Sequence, residues 1–343
     1  MTDKRIYYLD VLKIISCIAV VIIHCTAVGF YEMNMHSIGW IFTVIFNLLS
    51  RFAVPVFVMV SGALFLNENK KCDIKKLYTK NILHLVIIYI IWTLIYSIYN
   101  VFNKQVDVTI INVIKDSVIK SYYHLWFIPM LIGLYVLIPV IKPITKDRRI
   151  VEYFLIIFTL LYVIPYTIGL FNFPYSGYIG KILSRIQLPM LSYLGYFVLG
   201  HYLHTYKFSN KIKKIIYVLG CFAIIISILG TVLYSFYIGQ PKETLAREFS
   251  ITTYMVSIAI FVFVKQLIDE KEIRFKKIII HMSNASLGIY LIHALFRDIL
   301  KNQLGFSFTT IWNLPVNFIV IIFLSYIISY GISKIPVINK YII

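Results

Sequence analysis

Charge is what this chain has least of. Asp, Glu, Lys and Arg together make up 14% of its 343 residues, against about 25% in soluble domains. A chain so poor in charge cannot coat a water-soluble globule of this size. Cysteine is scarce too, and Cys17, Cys25, Cys72 and Cys221 share no metal or redox spacing. Three of the four lie in apolar runs and read as packing residues. No A-x-A site follows the first apolar run, so MTDKR opens a retained span rather than a cleaved leader. No stretch between the runs is long enough to fold alone, the longest being 103–121 and 171–186. No strong inverted repeat of the kind common in transporters is visible.

Hydrophobic residues fill the space that charge leaves, at 60% of the chain with a mean hydropathy of +0.83. Runs of about 20 apolar residues recur from end to end, each able to cross a hydrocarbon core about 30 Å thick. The expected fold is all-α: one integral-membrane domain over 1–343, a polytopic bundle of about ten transmembrane helices. The spans fall near 6–30, 41–66, 81–102, 122–141, 150–170, 187–205, 215–238, 249–267, 278–299 and 311–333.

The net charge of +18 is no nucleic-acid signature, because its basic residues cluster in short loops between apolar runs. With the N-terminus inside, 21 Lys and Arg fall on the inner side and 9 on the outer side. That bias predicts both termini in the cytoplasm of a bacterial cell membrane. Nothing in the pattern specifies an oligomer.

Ionisable groups inside apolar spans cost free energy and tend to mark function. In LKIISCIAVVIIHC, Lys13 and His24 are eleven residues apart, which returns them to nearly one helix face about 16 Å apart. Asp10 and Cys17 share that face. Taken alone, Lys13 reads equally as a snorkelling or Asp10-paired residue and His24 as an interhelical hydrogen-bonding one. Other polar groups join them. Arg51 is expected at the outer end of the second span, His84 one turn into the third, and His124 and Trp126 at the outer interface of the fourth. His293 shares a face of the ninth span with Ser286 and Tyr290. Trp126 also suits an interfacial belt.

The K-x10-H of Lys13 and His24 resembles a signature on the first helix of the acyltransferase-3 superfamily of membrane acyltransferases, where arginine takes the lysine's place. Four further stretches resemble that family's segments in its order: VPVFVMVSG (54–62), HLWFIPMLIGLYVLIP (124–139), GYFVLGHYL (195–203) and SNASLGIYLIH (283–293). The resemblance is to the branch with HLWF in the fourth span.

The family resemblance implies an O-acyltransferase moving an acetyl group from cytoplasmic acetyl-CoA, a co-substrate rather than a bound cofactor, to a hydroxyl of an envelope polysaccharide or lipid-linked sugar. It implies His24 as general base, a role suited to an imidazole, with Lys13 beside it in the catalytic set. His124, Trp126, His293, Ser286 and Arg51 follow as acceptor-side candidates. The family's R-x-x-R-like pair on the third helix is replaced by Asn81 and His84, which leaves CoA phosphates to Lys75, Lys76, Lys80 and His84. The same lysines also satisfy plain inner-side topology. Residues 171–186 have the aromatic and basic character to stack on a sugar, or to anchor at the interface. A transport or ligand-sensing module of the same fold, without acyl transfer, is the alternative; it would need facing helix breaks, for which Pro55 and Pro129 are candidates.

Overall fold

The computed structural model describes residues 5–68, 72–103, 122–170, 192–269 and 275–335, and all regular elements among them are helical. The outer stretches 104–121 and 171–186 lie outside the described residues. In chain order the helices are α1 (Tyr7–Glu32), α2 (Ile38–Leu49), α3 (Ala53–Phe65), α4 (Ile74–Phe102, with a π turn at Leu77–Ile82) and α5 (Phe127–Ile141). Then follow α6 (Arg148–Gly169, with a π turn at Thr159–Val163), α7 (Ser192–Thr205), α8 (Asn210–Ile238), α9 (Ile251–Asp269), α10 (Lys276–Asn302) and α11 (Asn313–Ser333). Eight stretches are long and apolar enough to cross a membrane, and α2 and α3 together form one of them. With α5 and α7 the described helices match the ten expected spans. The protein is an integral, multi-pass membrane protein.

Helix ends follow local chemistry. The Ser37 hydroxyl accepts from the Trp40 N–H at 3.1 Å and starts α2, and Ser209 does the same for α8. Gly239 ends α8 in the left-handed region, at φ 73°. Three spans depart from their expected form. The second is broken, with a turn at 50–52 separating α2 from α3, and Pro55 falls in the first turn of α3, where its missing N–H costs nothing. Pro129 likewise sits in the first turn of α5. The third span begins earlier than its apolar run, at Ile74, where Asp73 caps the helix through the Lys76 N–H at 3.0 Å. The fourth begins later, because residues 122–126 form a turn.

Two close helix contacts position everything else. Helices α1 and α10 run parallel: Arg5 bonds Asp10 and Asn284 at one end, and Lys301 pairs with Glu32 at the other. Helix α11 returns antiparallel, placing Tyr330 against His281, so residues 5 and 330 lie at the same face of the bundle. The second contact is the crossing of α3 and α7. A Cβ on Gly62 would fall 1.8 Å from the Phe197 carbonyl oxygen, and one on Gly200 would fall 1.9 Å from that of Met59. Only glycine lets the two backbones meet there, the small-residue packing typical of membrane helices.

Candidate active site

The polar stripe of α1 faces α10. Ser283 donates to Asp10 at 2.6 Å, the Cys17 thiol donates to the Ser286 carbonyl at 3.3 Å, and the His24 ring lies 5.1 Å from the His293 ring. His124 completes a group of three histidines, with ring centroids 5.2 Å from His293 and 6.4 Å from His24. His24 is half-buried, while His124 and His293 are buried.

His124 reaches this place through the turn before α5. Tyr290 of α10 donates its hydroxyl to the His124 carbonyl, and Tyr122 bonds Asp298 one turn beyond the site. Tyr122 also stacks on Tyr96 of α4 at 4.1 Å. The Tyr96 hydroxyl donates to the Leu291 carbonyl at 2.7 Å and accepts from the Leu295 N–H at 3.1 Å. Those two groups are an i, i+4 pair, so a side-chain hydroxyl is inserted into the α10 ladder beside His293. The His124 ring faces inward, because the YYHLW turn is pinned to α10. Trp126 stays at the surface, 38% exposed and against Tyr193 at 5.6 Å, away from the histidines.

The hydrogen bonds of His293 settle its tautomer. Nδ1 lies 2.6 Å from the Tyr290 carbonyl and 3.3 Å from that of Ile289. Both are acceptors, so Nδ1 carries the proton and Nε2 keeps a lone pair. Neither that Nε2 nor either ring nitrogen of His124 has a hydrogen-bond partner among the described residues. The Leu291 carbonyl near the His124 ring accepts from Tyr96 and keeps a second lone pair. Buried imidazoles are normally satisfied, and basic nitrogens left open beside a half-buried histidine are equipped to accept protons. Among the described residues no group of three His, Cys, Asp or Glu side chains is arranged to hold a metal ion.

Arg297 and Asp298 border the cluster. The Arg297 Nε bonds Asp298 at 2.7 Å, and its guanidinium sits 4.7 Å from the centroid of the Tyr123 ring, which is itself 5.0 Å from His24. In the sequence Arg297 counts as an outer-side charge. The signal that marks it is its place one turn beyond His293, on the same helix face.

The remaining expected residues separate from this group. Lys13 is half-buried and lies eleven residues, about 16 Å, below His24, near Asp10 and Arg5. Ser286 donates to the Ser283 carbonyl at 2.7 Å and sits toward Cys17, below the histidines. Arg51 is not at the outer end of its span. Residues from Ile38 onward precede it in the same span as α2, whose Asn47 donates to Thr26 at 3.0 Å, and Arg51 follows at the break. There it bonds Asn47 at 2.8 Å and pairs with Glu243, a partner 192 residues away that no local pattern announces. Lys75, Lys76 and Lys80 are exposed and His84 is half-buried on α4, apart from the histidines. Lys76 lines a cavity of about 340 Å³ with Asn81, Lys142 and Asp73.

The family model described as an acyltransferase domain matches residues 6–334. The chain belongs to the acyltransferase-3 family. No curated protein and no solved structure matched it. A match across nearly the whole bundle makes this protein a membrane acyltransferase, and the histidine group lies within the matched residues.

Proposed function

We propose that this acyltransferase moves an acetyl group from acetyl-CoA to a hydroxyl of a cell-envelope glycan or lipid-linked sugar, with His24 as general base, in the cytoplasmic membrane of a bacterium. The observation that carries the reading is the pairing of half-buried His24 with His293, whose Nε2 holds a lone pair. An imidazole nitrogen of His24 takes the proton of the acceptor hydroxyl as its oxygen attacks the thioester carbonyl. The C–S bond then breaks, and the leaving thiolate takes the proton back. Imidazole is matched to this duty near neutral pH.

The excess of Lys and Arg at the end where α1 begins supports placing that end in the cytoplasm. CoA would then enter where Lys13, and on α4 Lys75, Lys76 and Lys80, present positive charge to its phosphates. His24, further along α1, receives the thioester. Lys13 supplies a point charge without the bidentate fork of arginine.

The test is acetyl-CoA turnover by the purified protein in nanodiscs. His24→Ala should lose on the order of 10²–10⁴-fold in turnover while folding and acetyl-CoA binding persist. Lys13→Ala should weaken the donor's apparent affinity, and Lys13→Arg should restore it. A well-folded wild type that does not bind acetyl-CoA would overturn the reading.

A further inference from the structure

A second feature of the α1–α10 flank lies outside the histidine group. A groove of about 760 Å³ runs between α1, α10 and α11. Its floor and walls are apolar, from Ile14 and Ile18 on α1, Ile278 and Ile289 on α10, and Ile319 and Phe323 on α11. None of the described residues lining it is acidic. The basic side chains gather at one end, where Lys277 and His281 line the groove. The His281 ring stands 5.1 Å from Tyr330, and the Lys334 ammonium lies over that same tyrosine at 4.8 Å. Two lysines from two helices and a histidine therefore flank one opening.

The dimensions select an occupant. From Lys277 to Ile289 the groove follows twelve residues of α10, about 18 Å, close to the roughly 15 Å that half of a 30 Å hydrocarbon core provides. A ligand that fits has one hydrocarbon chain a leaflet long and an anionic group at the interface. Along the walls only the Ser286 and Tyr326 hydroxyls and the Cys17 thiol are polar, fewer groups than the two N–H and two C=O of a pantetheine arm need. We infer that the groove binds one anionic phospholipid of the leaflet where α1 begins, with its phosphate at Lys277 and Lys334 and one chain along Ile319 and Ile289. The chain ends at Ile289, one turn short of His293, so the lipid closes the flank of the α1–α10 seam without entering the histidine group. This site does not depend on the acyl-transfer reading, and its test uses no turnover.

Native mass spectrometry of the full protein in mild detergent reads the bound lipid directly. Phosphatidylglycerol should be retained more tightly than phosphatidylcholine. Lys277→Gln should weaken it about fivefold, the contribution of one interfacial lysine, and Lys277→Gln with Lys334→Gln about 25-fold. Ile319→Trp, a substitution at a residue 63% exposed to the bilayer, should displace the lipid with both lysines intact. Inorganic phosphate should not compete. Equal retention of phosphatidylcholine, wild-type retention by the double variant or by Ile319→Trp, or displacement by phosphate alone would each overturn the proposal. The comparison of the two lipids needs only the wild-type protein, so a misfolded variant does not stall the test.

Discussion

Along the seam between α1 and α10 the helices meet through Asp10 and Ser283, Cys17 and Ser286, and His24 and His293. Where α3 crosses α7 they meet through Gly62 and Gly200, with Met59 and Phe197 backbone in direct opposition. Both contacts come from stretches that carry the family resemblance. One holds polar groups at registered depths, and the other brings two backbones together at glycines. A conspicuous motif in a membrane helix thus marks either chemistry or close backbone approach. Hydrocarbon gives helices no hydrophobic reason to associate, so small residues and hydrogen bonds both serve as the adhesive.

Three variants sharpen that contrast. The largest effect is expected at His293. Asparagine there puts its Nδ2 where the ring has Nδ1, so it can still donate to the Tyr290 carbonyl but offers no basic nitrogen; His293→Asn should fold with little change in Tm and lose about 10²-fold in acetyl-CoA turnover. A purely structural role would show the reverse, a lower Tm with turnover per folded molecule intact. Gly62→Ala should do just that. Its Cβ would meet the Phe197 carbonyl at 1.8 Å, a backbone clash expected to cost about 1–3 kcal/mol and to appear in thermal unfolding. Retained Tm would mean that the crossing can slide apart. The smallest effect is expected at the exposed α4 lysines. Replacing Lys75, Lys76 and Lys80 with glutamine should raise the apparent KM for acetyl-CoA about fivefold, less at high salt, with kcat unchanged. A loss in kcat instead would place the reacting thioester on the α4 side of the bundle.

Much of the architecture was legible because its determinants are local. The succession of helices holds: eight stretches are long and apolar enough to cross a bilayer, with the shorter α5 and α7 among them. Span ends were less legible: α4 starts before its apolar run because Asp73 caps it, and residues 122–126 form a turn. Of the site, His24 and His293 were recognisable as ionisable groups in apolar surroundings. Glu243 was not, because it lies in a loop whose Leu245 and Ala246 bury themselves in the bundle and carry it to Arg51. Tyr96 and Tyr122 are two of 27 tyrosines, and nothing in the sequence sets them apart. Nothing near them in the chain indicates that one inserts into α10 and the other bonds Asp298.

The sequence by itself determined the membrane class, the succession of helices and the depth relation of Lys13 to His24, because a helix rises a constant 1.5 Å per residue. Tertiary structure alone decided which histidines meet. His124 and His293 are 169 positions apart in the chain, and their rings come within 5.2 Å only because Tyr290, Tyr122 and Tyr96 bind the turn before α5 to α10. The tautomer of His293, by contrast, is set locally, by two carbonyls of its own helix three and four residues back.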